Sequence, residues 1–140
     1  MNDNQMIELF DALERIYLRN LVQDDLTIAE SIALHVIFQL GSPTIIELAK
    51  ALQISQSNAT YLIHKLENRG YLIRERSQED RREYHLAVTD KFEKVLNSTR
   101  SRLRDAFAEE LNRCQGADQK TIQDFYREVL RNVQSGSEAI

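Results

Sequence analysis

Residue types that build catalytic, secreted or metal-stabilised proteins are scarce in this chain of 140 residues. It contains one cysteine, one proline, four glycines and no tryptophan. A lone cysteine cannot form a disulfide framework, and the sequence has no glycine-rich phosphate loop, nucleophile elbow or paired-histidine zinc motif. We therefore predict that the protein is not an enzyme and binds no cofactor.

The few side chains that commonly bind metals or undergo redox chemistry are dispersed. His35, His64 and His85 fall on separate predicted elements, without the close spacing of a metal site. Cys114 lies on an apolar stripe, where a free cysteine is usually a buried core residue. A redox switch at this cysteine could work only between subunits or with a small thiol. The sequence thus predicts no structural or sensory metal.

Long apolar runs are absent as well. No basic and then apolar segment opens the chain, and no stretch approaches the roughly 20 apolar residues of a membrane span. These absences favour a cytoplasmic protein without membrane contact. The hydrophobic content of 42% is sufficient for the core of one domain, which we place at residues 1–140.

Two short helices joined by a tight turn are predicted between residues 44 and 70. Thr44 and Glu47 have the spacing of a capping box at the start of the first helix, although Ser42, followed by the single proline, is a rival start. Ser55 is a favourable N-cap for the second helix, and Gly70 suits a left-handed helix end. Only two residues separate the helices, which is the outline of a helix-turn-helix.

The second of these helices has an apolar stripe and an opposite polar face. Ala59, Leu62, Ile63 and Leu66 form the stripe and are predicted core residues. The polar face has no carboxylate in its first three turns, and its hydroxyl, amide, aromatic and lysine side chains suit base edges and phosphates in a major groove. An ordinary solvated helix face is the alternative interpretation. The predicted DNA-binding residues of this helix are Ser55, Gln56, Ser57, Asn58, Thr60, Tyr61, His64 and Lys65.

A charged hairpin follows this helix. Residues 71–76 and 83–88 are predicted strands, the second through its alternating pattern, and residues 77–82 form a polar tip. Arg81 and Arg82 on this tip could enter a narrow minor groove, and Arg76 is a further predicted DNA-binding residue. Asp80 is close enough in sequence to orient one guanidinium by a bidentate pair. The alternative is a solvated charge cluster.

The order and spacing of these segments resemble the MarR family of winged helix-turn-helix transcription regulators. The resemblance rests on LTIAESIALHVI at 26–37, TIIELAKAL at 44–52, ISQSNATYLIHKLENRGYLIRE at 54–75 and DRREYHLAVTD at 80–90. The Asp-Arg-Arg triplet, followed at a fixed interval by Thr89, is its most specific element. Val88 stands in place of the usual leucine before this threonine, and Phe92 in place of a frequent glycine.

The resemblance implies a mainly helical fold with a small two- to three-stranded wing. It places dimerisation helices at residues 1–25 and 90–135 around a winged helix-turn-helix DNA-binding region at 26–89. A homodimer of this kind would insert its recognition helices into successive major grooves and its wings into the adjoining minor grooves. The expected binding site is a pseudo-palindromic double-stranded operator with half-sites about 10 bp apart.

Roles for individual residues also follow from the resemblance. Arg81 and Arg82 would form the wing tip, with Asp80 as their orienting partner. If a small molecule is sensed and releases the DNA, the site is expected at the junction of the terminal helices with the DNA-binding region, where Tyr17 and His35 are the polar candidates. Most such regulators are repressors. The groove would be lined by Ser55, Ser57, Asn58, Thr60, Tyr61 and Lys65.

Apolar stripes at both ends of the chain independently favour a dimer. Three amphipathic helices flank the DNA-binding region, and their stripes are longer than one small domain can cover. Folding back onto the same subunit is the alternative. The first stripe comprises Met6, Ile7, Phe10, Leu13, Ile16, Tyr17 and Leu21. The others comprise Val95, Leu96, Leu103, Ala106, Phe107, Leu111 and Cys114, then Ile122, Phe125, Tyr126, Val129, Leu130 and Val133.

A net charge of −4 is unfavourable for binding nucleic acid, but the charge is distributed unevenly along the chain. Residues 50–85 hold seven basic and five acidic side chains, a local charge of +2, which leaves −6 elsewhere. Attraction to DNA depends on the local field rather than on the total charge. The sequence therefore predicts a DNA-binding regulator, and its rival is a winged helix that binds only proteins, which would need apolar anchors on the recognition helix.

Overall fold

A computed structural model describes residues 2–23 and 25–136, apart from the side chain of residue 99. The described residues form two compact units, which are divided between residues 99 and 100. The elements in order are α1 (Asp3–Leu21), α2 (Ile28–Leu40), α3 (Ile45–Leu52), α4 (Gln56–Asn68), β1 (Leu72–Arg76), β2 (Tyr84–Val88), α5 (Asp90–Arg113) and α6 (Gly116–Gly136).

Local capping fixes the starts of the helix-turn-helix. The Thr44 Oγ1 accepts from the Glu47 N–H at 3.2 Å, and the Glu47 carboxylate accepts from the Thr44 N–H at 2.9 Å. This reciprocal pair confirms the predicted capping box. The rival Ser42 instead has a positive φ of 52° in the loop before α3. Ser55 caps α4 by accepting from the Asn58 N–H at 3.1 Å, as predicted.

The turn and the end of α4 use left-handed residues. Gln53 has φ 54° and closes α3, so that α4 can begin three residues later. Gly70 has φ 77°, which a side chain would disfavour. The Gly70 N–H donates to Glu67 O and the Tyr71 N–H to Leu66 O, both at 3.0 Å. This is the double hydrogen bond of a Schellman motif, and it turns the chain directly into β1.

Strands β1 and β2 form an antiparallel hairpin, which we call the wing. Leu72 pairs with Val88 at its base and Arg76 with Tyr84 near its tip. The Leu86 N–H also donates to Pro43 O at 2.8 Å, so the loop before α3 is bonded to the sheet. The prediction of a small wing with two to three strands is confirmed by these two strands.

The core of residues 1–99 lies between α2, α3, α4, the wing and the first turn of α5. On α4 the predicted stripe is confirmed, because Ala59, Ile63 and Leu66 are buried and Leu62 is half-buried. The polar face of α4 must consequently point away from the core. The buried core cluster comprises Ala33, Leu34, Ile37, Leu48, Ile63, Leu66, Tyr71, Leu72, Leu86 and Phe92.

The second unit is a pair of helices, the C-terminal part of α5 and α6. Phe107 and Tyr126 meet edge to face, with their ring centroids 6.1 Å apart. An open apolar cavity of about 810 Å³ lies along the pair. Cys114 lines this cavity and is half-buried, so it is less enclosed than the predicted core residue. Both aromatic rings keep more than half of their surface exposed.

In the described part of the chain, no single helix is long and apolar enough to cross a bilayer. Helices α2 and α3 reach that length and hydropathy only when joined across a 118° bend.

Candidate nucleic-acid interface

The outward face of α4 carries the residues that the sequence predicts for DNA binding. Seven of the eight are exposed, and Lys65 is half-buried. No Asp or Glu occurs between residues 55 and 66, so this face repels no phosphate through its first three turns. The exposed members are Ser55, Gln56, Ser57, Asn58, Thr60, Tyr61 and His64.

Some of these side chains are already engaged within the helix. The Ser55 hydroxyl caps the helix, and the Thr60 hydroxyl donates to Gln56 O at 2.9 Å. The Lys65 ammonium lies 4.6 Å from the centroid of the Tyr61 ring, a cation–π contact one helical turn apart. The ring of Tyr61 is 61% exposed. Lys65 and Tyr61 therefore present a charge and an aromatic surface together.

The wing tip is a compact loop held by its own backbone. The Ser77 N–H donates to Glu83 O at 3.0 Å, and the Ser77 hydroxyl accepts from the N–H groups of Glu79 and Asp80 at 3.2 and 3.3 Å. Arg81 and Arg82 are both exposed at this tip. Neither guanidinium takes part in any ion pair of the described residues.

Asp80 acts differently from the predicted bidentate partner of an arginine. Its Oδ1 accepts from the backbone N–H of Arg82 at 2.9 Å, as in an Asx-turn. The carboxylate is thereby used to shape the loop rather than to hold a guanidinium. The physical reason is that a short side chain reaches the N–H two residues on without ordering a long, flexible arginine.

Arg76 lies on the exposed side of the wing. Its Nη2 donates to the Tyr84 hydroxyl at 3.0 Å, and its guanidinium carbon is 5.5 Å from the Tyr84 ring centroid. Tyr84 was not among the predicted functional residues. Its position opposite Arg76 across the hairpin is established only by the strand register of the structure.

A second group that sequence reasoning missed lies at the C-terminal end of α4. We call Asp25, Glu30, Arg69, Tyr71 and Lys91 the Arg69 cluster. The Nη1 of Arg69 donates to Asp25 O at 2.6 Å and forms an ion pair with the carboxylate of Glu30. Glu30 is only 1% exposed, whereas the side chain of Arg69 is 38% exposed. The pair thus links the first turn of α2 to the C-cap residue of α4.

The remaining members of the cluster are bonded to one another. The Tyr71 hydroxyl lies 2.8 Å from both carboxylate oxygens of Asp25. The Lys91 ammonium donates to Arg69 O at 2.9 Å, lies 4.2 Å from the Tyr71 ring centroid and is 3.6 Å from Asp25 Oδ2. Helices α2 and α5, the loop before α2 and the turn between α4 and β1 therefore meet at one polar site.

This site perturbs two titrations. The hydrogen bond from Tyr71 lowers the pKa of Asp25 below its ordinary value of 3.8, with a smaller contribution from Lys91. Burial raises the pKa of Tyr71 to about 12, and the bond to the Asp25 carboxylate adds to the effect. Both shifts favour a neutral tyrosine that donates to an ionised aspartate at neutral pH.

Tyr17 and His35, the predicted effector-site residues, are brought together. Their ring centroids are 5.5 Å apart in an edge-on contact, and Phe92 meets the His35 ring at 5.1 Å. The Nδ1 of His35 donates to Ser31 O at 2.7 Å. The Ser31 hydroxyl is buried without a partner among the described residues. Tyr17 is 44% exposed, so the site opens to the surface on that side.

The other two histidines lie on different elements. His64 is exposed on α4, and the Nδ1 of His85 donates to Ser42 O at 2.8 Å, which ties the wing to the loop before α3. Within the residues that the structure describes, no group of three or more His, Cys, Asp and Glu side chains could hold a metal ion.

Residues 26–84, which hold the helix-turn-helix and most of the wing, match the MarR family model. This region of the chain is therefore similar to the MarR family domain. A curated relative of that region, the HTH-type transcriptional regulator Hpr of Bacillus mycoides, is 36% identical over 72 residues. The match covers 51% of this chain but only 39% of the Hpr protein.

Solved MarR-like structures cover nearly the whole chain. The transcriptional regulator Tm0710 of Thermotoga maritima has a TM-score of 0.66 and 24% identity, covering 96% of this chain and 97% of its own. MepR of S. aureus bound to ethidium bromide has a TM-score of 0.60 and 16% identity, covering 95% of this chain and 97% of its own. A MepR variant bound to an oligodeoxyribonucleotide has a TM-score of 0.55 and 15% identity, covering 95% of this chain and 99% of its own. These likenesses confirm the predicted fold.

Proposed function

We propose that this MarR-like chain is a sequence-specific regulator of transcription that binds double-stranded DNA as a homodimer. The observation that carries the proposal is the placement of a carboxylate-free, exposed helix face beside a projecting loop with two exposed arginines. On this account α4 is the recognition helix and lies in a major groove. The wing tip reaches the adjoining minor groove.

The chemistry of the outer face of α4 supports base reading. Ser57 and Asn58, near the start of the helix, offer a hydroxyl and an amide that can bond base edges. Tyr61 offers an aromatic edge to thymine methyl groups, and the Lys65 ammonium beside it suits a phosphate. Gln56 and His64 extend the same polar surface. We assign sequence preference to Ser57 and Tyr61, and general attraction to Lys65.

The wing supplies positive charge away from the helix. Arg82 and Arg81 have no ion-pair partner among the described residues, so their guanidinium groups are available to the electronegative minor groove. Asp80 supports them indirectly through its bond to the loop backbone. Arg76 lies further back on the wing, where a phosphate contact suits it better than a base contact. The local charge of +2 in residues 50–85 favours this surface over the rest of the acidic chain.

Dimerisation is proposed through the terminal helices. In α1, Ile7, Phe10 and Leu18 are each more than half exposed. In α6, Phe125, Tyr126 and Val133 are also more than half exposed. Contiguous apolar surface of this kind is rare on monomers, and a second copy of the same chain can cover it through a two-fold interface. A two-fold dimer would require a pseudo-palindromic operator with half-sites about 10 bp apart.

The finer regulatory roles follow the family resemblance. We assign the chain to the cytoplasm, where its operator would lie, and propose that it represses. Release by a small molecule is assigned to the site formed by Tyr17, His35 and Phe92. A half-exposed tyrosine and the buried hydroxyl of Ser31, which has no hydrogen-bond partner among the described residues, offer polar contacts beside aromatic rings. MepR, a structural neighbour, has been solved with ethidium bromide, which is a planar aromatic cation.

A winged helix that binds only proteins is the alternative function. Protein hot spots are usually large, packed side chains such as Trp, Tyr and Arg. Tyr61 is the single large, partly apolar side chain on the outer face of α4, whose other members are polar. This composition favours DNA over a protein partner.

Selection from a random duplex library tests the proposal. The purified chain is incubated with the library, bound duplexes are amplified over several rounds, and the sequences are aligned. Enrichment of a two-fold symmetric motif supports the dimeric regulator. Absence of any enriched motif, together with equal retention of all duplexes, contradicts sequence-specific binding and favours the protein-interaction alternative.

A further inference from the structure

We infer that the Arg69 cluster positions the recognition helix, so that Glu30, Asp25 and Tyr71 set DNA specificity without touching DNA. The inference rests on the proposed function of α4. The cluster lies at the C-terminal end of α4, outside the face assigned to DNA. Its other members come from α2, the loop before α2, the residue before β1 and α5. The end of the recognition helix is therefore bonded to four other segments of the domain.

The carboxylate of Glu30 is the least replaceable member. A charged side chain that is 1% exposed is destabilising unless it is paired, and Arg69 supplies that pair across 39 positions of sequence. The same Nη1 atom bonds the backbone oxygen of Asp25. Arg69 is also the C-cap residue of α4. Any rotation of α4 about its axis would therefore break contacts to α2 and to the loop before it.

Two residues near the start of α5 hold the same helix end from another side. Lys91 donates to the carbonyl of Arg69, and a cation at this position also complements the negative end of the helix dipole. The Thr89 hydroxyl donates to Gly70 O at 2.5 Å. Residues 69 and 70 thus have their carbonyl groups satisfied by α5 and the residue before it. Axial sliding of α4 is opposed as well.

Apolar packing alone would not fix the orientation of α4. The buried side of α4 consists of Ala59, Ile63 and Leu66, and apolar contacts of this kind have little directional preference. Hydrogen bonds to charged groups have preferred distances and angles. Apolar residues in place of a buried ion pair are often equally stable or more stable, so net stability does not account for the pair. The directional hydrogen bonds of the cluster fix the orientation of α4, and a fixed orientation is needed for its side chains to contact particular base edges.

The test compares two cluster variants with a matched control in the full-length chain. Glu30→Gln removes the buried charge, and Tyr71→Phe removes only the hydroxyl that donates to Asp25. Glu67→Gln is the control, because it removes one carboxylate from the same end of α4, where Glu67 pairs with Arg74 outside the cluster at 2.5 Å. Each protein is measured for affinity to a selected duplex and to scrambled DNA, for oligomeric state, and for amide hydrogen exchange at residues 66–71.

We expect Glu30→Gln to lower affinity for the selected duplex about tenfold or more, comparable to one mismatched base pair. Affinity for scrambled DNA and the salt dependence of binding should be unchanged, because no phosphate contact is lost. Tyr71→Phe should act in the same direction with a smaller effect, and it carries the test if Glu30→Gln does not fold. Exchange at residues 66–71 should be faster in both variants and unchanged in Glu67→Gln.

Three results overturn the inference. Unchanged exchange at residues 66–71 in both cluster variants means that the cluster does not hold the helix. Equal losses on selected and scrambled DNA mean a general loss of folded or charged protein. If Glu67→Gln lowers affinity as much as the cluster variants do, the loss of a carboxylate at this helix end explains the result and the cluster does not. If the wild-type chain itself prefers no duplex, the proposed function fails and the assignment of specificity fails with it, while the exchange comparison still decides separately whether the cluster fixes α4.

Discussion

Arg76 and Tyr84 stand opposite each other on the two strands of the wing, with Arg76 Nη2 donating to the tyrosine hydroxyl at 3.0 Å. The guanidinium also lies over the face of the ring. A long arginine side chain otherwise loses considerable rotamer freedom when it binds a phosphate. Holding it in advance reduces that loss, so Tyr84 should increase the contribution of Arg76 to DNA affinity.

Removal of the Tyr84 ring should weaken DNA binding through Arg76. We expect Tyr84→Ala to lower affinity a fewfold for selected and scrambled duplexes alike, because a phosphate contact carries no sequence information. Tyr84→Phe keeps the cation–π contact and loses only the hydroxyl, so it should lower DNA affinity less than Tyr84→Ala does. Fluorescence anisotropy titrations measure both. If Tyr84→Ala has the same effect in an Arg76→Ala background, the two residues act independently and this account of the wing is wrong.

Arg82→Ala should weaken binding to all duplexes and leave the dimer intact. Loss of one minor-groove guanidinium should reduce the dependence of affinity on salt by about one phosphate equivalent per subunit. Titrations at several salt concentrations provide the slope. Arg113→Ala is the matched control, since Arg113 pairs with Glu109 and Glu110 at the end of α5. Normal binding by Arg82→Ala would remove the wing tip from the mechanism.

Substitution of Ser57 or Tyr61 should change which sequence is preferred. Both side chains are exposed on the first turns of α4, and a lost base contact is worth about 1–3 kcal/mol at one position. Repeating the duplex selection with Ser57→Ala and Tyr61→Ala shows the change directly. Identical motifs for both variants and the wild type would place base reading on other residues.

The core of the helix-turn-helix should be sensitive at Ile63. This side chain is fully buried on α4, and its truncation to alanine leaves a cavity that costs about 2–5 kcal/mol of unfolding free energy. Denaturant unfolding followed by circular dichroism measures the loss. Ile46→Ala on α3 is the control, because Ile46 is largely exposed and its truncation should cost much less. Equal costs would contradict the described packing.

Tyr71 should make folding sensitive to alkali. Its pKa is raised from 10.0 in the unfolded chain to about 12 in the folded protein, so the folded state holds the proton more tightly between these values. The resulting stability is fully present below pH 10 and is lost as the pH rises towards 12. Denaturant unfolding across this range should show a steeper loss for the wild type than for Tyr71→Phe. If the unfolding free energies of the wild type and Tyr71→Phe fall in parallel over this pH range, the raised pKa of Tyr71 is contradicted.

Local signals in the sequence were sufficient for the helix-turn-helix. Thr44 with Glu47, Ser55 and Gly70 each act within a few residues of their own position, so their capping and turn roles could be predicted without any knowledge of the fold. The strand pattern similarly located the wing. Asp80 shows the limit of this reasoning, because a carboxylate beside arginines can bond either a guanidinium or a nearby N–H, and only the loop geometry decides.

The Arg69 cluster could not be predicted in this way. Glu30 and Arg69 are separated by 39 positions, and no periodicity in one sequence connects them. Glu30 would ordinarily be assigned to the surface, since glutamate is rarely buried unless it is paired. Tyr84 was missed for a related reason, because an alternating pattern locates a strand but does not show which residue lies opposite on its partner. The predicted single domain, the dimer and the individual DNA contacts stay predictions.

The most direct test of the central claim is the affinity of the full-length chain for its selected duplex and for a scrambled duplex of equal length, at two salt concentrations. The account predicts a preference of about a thousandfold or more for the selected duplex, and affinities for both duplexes that fall steeply as salt rises. Equal, weak affinities for the two duplexes, or binding indifferent to salt, would contradict a sequence-specific DNA-binding regulator.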